Sequence, residues 1–158
     1  MRNVVFSIAA AALAATSFAA APAMANEARV EARGGIVWNG SDSEAVAGAA
    51  AGYDFDLGEK SFAGVEVSGD KILTDHTRVS FGASARAGAK LGDPVKLYAV
   101  GGYATKPCKG CEGSFNLGAG YQHNFGQNFY GKVEYRHSFV GNGVKDNDAA
   151  VAGLGVRF

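Results

Sequence analysis

Residues Gly131–Phe139 read Gly-Lys-Val-Glu-Tyr-Arg-His-Ser-Phe. Lys132, Glu134, Arg136 and Ser138 alternate with Val133, Tyr135, His137 and Phe139. A period of two predicts a β-strand with one charged face and one apolar, aromatic face. In a water-soluble domain the apolar face would enter a core and the charges would meet solvent. The rest of the chain changes that reading, because it repeats the pattern and opens with an export signal. Together these features predict a small barrel with its charges inside and its apolar residues towards lipid.

The export signal occupies residues 1–25. Arg2 supplies the charged n-region, Val4–Ala21 an Ala-rich apolar run, and Ala23-Met24-Ala25 a small-x-small cleavage site before Asn26. Its N-terminal place and its processing site disfavour a membrane anchor. The mature chain, 26–158, has the length of one domain. Positive and negative side chains are equal in number and no basic cluster stands out, which argues against a nucleic-acid partner. No later stretch approaches the roughly 20 continuous apolar residues of a spanning helix. A membrane crossing by this chain therefore requires a closed barrel. Abundant Gly, scarce Pro and aromatic residues at strand spacing agree with an all-β fold.

Eight strands are predicted. The first covers Ala28–Trp38, with Arg29, Glu31 and Arg33 opposite Val30, Ala32, Ile36 and Trp38. The second, Glu44–Phe55, alternates weakly, its Ala-rich face (Ala45, Ala47, Ala49, Ala51) lying opposite Val46, Gly48, Ala50, Gly52 and Asp54. The third covers Ser61–Ser68 and carries Glu66, with Gly69–His76 as a polar loop. The fourth, Thr77–Leu91, sets Arg78, Arg86 and Lys90 against Val79, Phe81 and a run of alanines. The fifth, Val95–Thr105, has no settled facing, because Tyr98 and Tyr103 fall on opposite faces. The sixth covers Ser114–Phe125, the seventh Phe129–Phe139 and the eighth Asp148–Phe158. Short connections predict an antiparallel up-and-down meander, and eight is an even number, as bacterial single-chain barrels require. With the N-terminus in the periplasm, the loops near Ser41, Asp75, Lys109 and Asn142 face outside. Phe55, Phe125, Phe129 and Phe158 then form one aromatic belt, and Trp38, Phe115 and Phe139 the other.

Gly52-Tyr53-Asp54-Phe55 before a Gly turn, Val133-Glu134-Tyr135-Arg136, and the closing Gly153-Leu154-Gly155-Val156-Arg157-Phe158 resemble the small outer-membrane β-barrel proteins, the opacity-protein-like and OmpA-anchor-like group. The resemblance spans the whole mature chain and implies a non-enzymatic protein of the outer membrane, surrounded by its lipid, with a structural or surface role. It also implies that Leu154, Val156 and Phe158 form the signal read by the outer-membrane assembly machinery. No peptidoglycan-binding domain is expected after the barrel, and the short outer loops weaken transfer of an adhesin role. Whether an extracellular ligand exists, and which, the sequence leaves open.

The predicted interior charges are Arg29, Glu31, Arg33, Asp54, Glu66, Arg86, Lys90, Lys132, Glu134, Arg136 and Arg157. Both signs occur, so an ion-pair network is favoured over a narrow ion path, since pairing relieves the cost of burying each charge. His137 and Ser138 raise an esterase reading, but neighbours in a strand point to opposite faces, out of the reach that a nucleophile and its base need. No catalytic residue, cofactor or metal is expected. Cys108 and Cys111, exported and closely spaced, suggest a disulfide; with His76 they fall short of a zinc ligand set. Two other functions remain open: a narrow porin-like channel, and a soluble exported lipocalin-like binder, which the weakly apolar Ala45–Ala51 face favours.

Overall fold

A computed structural model describes residues 26–92 and 94–158. The predicted signal segment and its cleavage site after Ala25 lie outside the described residues. Eight antiparallel strands close into a barrel in chain order: β1 Glu27–Asn39, β2 Asp42–Asp56, β3 Ser61–Ile72, β4 Ser80–Lys90, β5 Val95–Ala104, β6 Ser114–Phe125, β7 Phe129–Phe139 and β8 Asn147–Arg157, with β8 paired back onto β1. Closure leaves no unpaired edge, the condition that lets a sheet cross a bilayer. Tracing registered partners from Glu27 through Asp54, Gly64, Arg86, Val100, Gly118, Arg136 and Ala149 returns to β1 at Val37, ten residues further along. That stagger tilts the strands and leaves an interior that side chains can fill.

Two strand limits differ from expectation by more than two residues. β3 runs on to Ile72, where a polar loop was expected from Gly69, because Gly48, Ala47 and Val46 of β2 continue to pair with Asp70, Lys71 and Ile72. β4 starts at Ser80 and not at Thr77: the chain before it leaves β3, and Thr77 forms an isolated bridge with Cys108 in the next loop. Arg78, expected within β4 on the face of Arg86 and Lys90, is therefore an exposed loop residue whose amide donates to the Pro107 carbonyl at 2.8 Å.

Between β1 and β2 the registered pair Asn39–Asp42 encloses a two-residue loop, and Gly40 supplies the positive φ (63°) that such a tight hairpin needs. This loop and those after β3, β5 and β7 mark one end of the barrel, the loop end. The start of β1, the C-terminal Phe158 and the three remaining turns mark the other, the terminal end.

The faces separate cleanly. Outward lie Phe81, Phe115, Phe129 and Leu154, each more than three-fifths exposed, with Val65, Val67, Val133 and Tyr135. Inward lie Arg29, Glu31, Asp54, Glu66, Arg86, Lys132 and Glu134, all buried. A soluble lipocalin-like binder would show the reverse, an apolar interior inside a polar shell, so that reading is abandoned. The outward aromatics gather towards the two ends, Phe55, Phe125, Phe129 and Phe158 at the terminal end and Trp38, Tyr103, Phe115, Tyr135 and Phe139 at the loop end. That is the pair of interfacial girdles of a membrane barrel.

The facing of β5 is now settled: Lys96, Tyr98 and Val100 point in, whereas Leu97 and Tyr103 point out. Glycines across the ladder admit the inward rings. Tyr98 is registered opposite Gly120, where an added Cβ would come within 2.4 Å of its ring. Tyr130 stands opposite Gly155, where the same atom would come within 2.7 Å.

Candidate functional site: the charged lumen and the loop end

Each lumen charge is placed by the period of its strand, and barrel closure brings charges from distant parts of the chain together. Glu66 on β3 is the hub. Arg29 donates to it at 2.7 Å, Arg33 and Lys132 at 3.1 Å and Arg136 at 3.3 Å. Lys132 also lies 2.7 Å from Glu31 and 2.8 Å from Glu134. Tyr130 donates to Glu31 at 2.8 Å and Tyr98 to Glu134 at 2.7 Å, so each of these carboxylates has a neutral donor as well as a cation. The side chains of Arg29, Glu31 and Lys132 are fully screened from solvent. In so dry a place an isolated charge would cost several kcal/mol, and dense pairing is what makes the arrangement tenable.

A second cluster sits nearer the terminal end around Asp54. Arg86 grips that carboxylate with two nitrogens, and Lys96 donates to it at 3.1 Å and to Glu27 at 2.9 Å. Arg86 also lies over the rings of Tyr98 and Phe62, at 4.7 and 5.3 Å from their centroids. Arg157 reaches Glu27 at 2.8 Å, and Lys90 pairs with Asp56 at 2.5 Å in the more open mouth. Glu27, Asp56, Asp70, Lys96, Phe62, Tyr98 and Tyr130 belong to this interior although none was among the predicted lumen residues. Glu27 and Asp70 lie at strand ends, and Lys96 and Tyr98 lie on the strand whose facing the alternation did not decide.

The packed layer separates two cavities. One, of about 450 Å³, opens at the terminal end between Asp56, Lys60, Lys90, Lys96 and Arg157. The other, of about 170 Å³, lies at the loop end above Arg33, Asp70 and Arg136. Between them Arg33 holds Asp70 with two nitrogens, and Arg136 spans Glu134, Glu66 and Asn116.

On the outer wall near the loop end, His137 places Nδ1 2.8 Å from the Asp148 carboxylate, and the Tyr135 hydroxyl donates to the same oxygen at 2.6 Å. This pairing orients an imidazole as acyl-transfer enzymes do, but Ser138 projects to the opposite face of β7, into the lumen cavity. A base without a nucleophile in reach does not start that chemistry. Leu154, Val156 and Phe158 lie together on the outward face of the closing strand, which Phe158 locks to β1 by exchanging amide bonds with Ala28 at 2.9 and 3.2 Å.

Cys108 and Cys111 are joined as a disulfide in the loop after β5, with Cα atoms 5.1 Å apart, and His76 takes no part in it. Among the described residues no cluster of His, Cys, Asp and Glu suits a metal ion. The loop is also tied to β4: Thr105 N–H donates to Phe81 at 2.8 Å and its hydroxyl accepts from Phe81 N–H at 2.9 Å. So short a covalent ring removes little unfolded-chain entropy. Changing both cysteines to serine is expected to cost at most about 2 kcal/mol. Barrel unfolding in urea should show that small shift, while limited proteolysis between 106 and 113 accelerates.

The likeness to solved structures is one of fold. The barrel superposes on the N-terminal β-barrel domain of Pseudomonas aeruginosa OprF (TM-score 0.55, 17% identity, 84% of this chain and 97% of that one). It matches Neisserial surface protein A comparably (0.57, 20%, 84% and 95%). A third likeness is to Ail, the attachment invasion locus protein of Yersinia pestis (0.53, 18%, 84% and 97%), which has also been solved with the heparin analogue sucrose octasulfate. No curated protein matches the sequence. Residues 10–158 match the family described as outer membrane protein beta-barrel domain. With a closed eight-stranded meander, apolar residues outward between two aromatic girdles and charges within, the chain belongs to that family and is a protein of the outer membrane.

Proposed function

We propose that this protein is a closed, non-enzymatic barrel with a structural or surface-contact role in the envelope, its loop end turned to the outside. The observation that carries this reading is the filled lumen. Arg29, Glu31 and Lys132 lie inside the barrel with no solvent reaching their side chains, and an ion path would have to break the three carboxylate contacts of Lys132. The closing-strand face formed by Leu154, Val156 and Phe158 supports recognition by the assembly machinery. The loop end, counting the adjoining strand tips, carries Lys71, Arg78, Lys109 and Lys145 beside Asp42, Glu44, Asp75 and Asp146. A mixed field of this kind gives no reason to transfer the sulfated ligand of Ail, since polyanions are held by fields of one sign.

Reconstitution in planar bilayers tests the reading. The expected record is a flat baseline, without discrete current steps, under voltages that leave the bilayer intact. Stable unitary steps that vanish on denaturation would replace the structural reading with that of a narrow channel.

A further inference from the structure

We propose that the cavity at the loop end of the lumen is a binding site for a small, neutral, polyhydroxylated molecule of monosaccharide size. Its volume is about 170 Å³, against the roughly 10–15 Å³ that a single water requires. Its wall has two unlike halves. One is a hydrogen-bonding girdle along a single registered row: Ser84 pairs with Gly102, Gly102 with Asn116, Asn116 with Ser138, and Ser138 with Asn147. The other is apolar, made by Val37, Val46, Ile72 and Val151.

The girdle has unused capacity. Among the described residues Ser84, Ser138 and Asn147 make no side-chain hydrogen bond, and Asn116 uses only its carbonyl oxygen, which accepts from Arg136 at 3.2 Å. Hydroxyl and amide groups both donate and accept, as the hydroxyls of a polyol do. The C–H face of such a ring would lie against the valines and Ile72.

Charge selects against other ligands. Arg33 is neutralised by Asp70 and Glu66, and Arg136 by Glu66 and Glu134, so the floor offers an ion no free counter-charge. A wholly apolar ligand would strip water from the girdle and leave its groups unpaired, which is costly. The amphipathic wall and the paired floor together favour a neutral molecule with hydroxyls on one side.

The test uses the refolded chain in phospholipid nanodiscs or a zwitterionic detergent, because glycoside detergents carry the chemistry in question. Amide NMR shifts are followed while D-glucose, D-galactose and D-mannose are added. Saturable shifts are expected for at least one sugar at Ser84, Gly102, Asn116, Ser138 and Asn147 and not at Lys60 or Gly92, with roughly millimolar affinity. Ser138→Leu should weaken that affinity at least about tenfold. Should it fail to give the gel shift of a folded barrel, Ser138→Ala, which keeps the volume, should still weaken binding measurably. Non-saturating shifts with all three sugars would mean that the cavity holds water only and would overturn the proposal. Tighter binding of glucosamine or glucuronate than of glucose would overturn it in favour of charge recognition. Saturation unchanged in a folded Ser138 variant would place the ligand elsewhere and overturn it as well.

Discussion

Replacing Glu66 with glutamine is expected to destabilise the barrel by about 3–5 kcal/mol, the cost of leaving buried cations without their counter-charge. Glu66 on β3 accepts from Arg29 and Arg33 of β1 and from Lys132 and Arg136 of β7, four cations from two strands that converge on it only when the barrel closes. The amide keeps the shape and most of the packing, so the loss reports charge and not volume. Lys132 would keep Glu31 and Glu134. Arg29 would keep a contact to Asp54 at 3.5 Å and a more distant one to Glu31 at 3.9 Å. Reversible urea unfolding in lipid vesicles, followed by Trp38 fluorescence, measures the effect.

Two companions make the result decisive. Lys90→Met removes a pair in the open terminal mouth, where water screens the charges, and should cost no more than about 1 kcal/mol. Glu66→Gln combined with Lys132→Met should lose less than the two single changes added together, because the second substitution removes a cation that the first has stranded. A Glu66→Gln barrel as stable as the parent would show that the lumen is wet enough to solvate these charges. The case for a sealed lumen would then weaken along with that for the network.

The parts of this molecule that could be read from sequence are those where alternation is strong and both faces carry distinct chemistry. β7 and the first half of β1 satisfy this, with Lys132, Glu134 and Arg136 or Arg29, Glu31 and Arg33 against apolar neighbours. β5 does not. Its inward residues Lys96, Tyr98 and Val100 mix charged, aromatic and aliphatic types, because each answers to a neighbour across the lumen: Lys96 to Glu27 and Asp54, Tyr98 to Glu134 and to the space left by Gly120. Such partners lie up to 69 residues away, and no local period encodes them. Phe62 is inward for a similar reason, packed beside Tyr98 under the cations of Arg86 and Lys96. The loop-end girdle was invisible for another reason. Ser and Asn near strand ends have the composition of turns, and only the register of β4 to β8 aligns them into one row.

Introducing arginine at Ala85 is the complementary experiment, aimed at the outer wall. Ala85 is the central residue of β4, exposed on the outward face, with Val65 and Gly101 as its registered neighbours and no polar side chain among them. In a bilayer this position lies between the two aromatic girdles, so the guanidinium would meet hydrocarbon, at a cost of about 2–4 kcal/mol near the midplane. The same residue introduced at Ser41, in the exposed hairpin after β1, should change stability by no more than about 0.5 kcal/mol. Had the barrel been water-soluble, Ala85→Arg would cost as little as Ser41→Arg, since an exposed arginine on a strand is readily solvated. The contrast therefore reads the solvent of the outer wall directly. It should narrow when unfolding is measured in detergent micelles, whose thinner and more adaptable apolar belt lets a long side chain reach water. A penalty at Ala85 equal to that at Ser41 in vesicles would contradict a lipid-facing β4, and with it the orientation of every strand that shares its register.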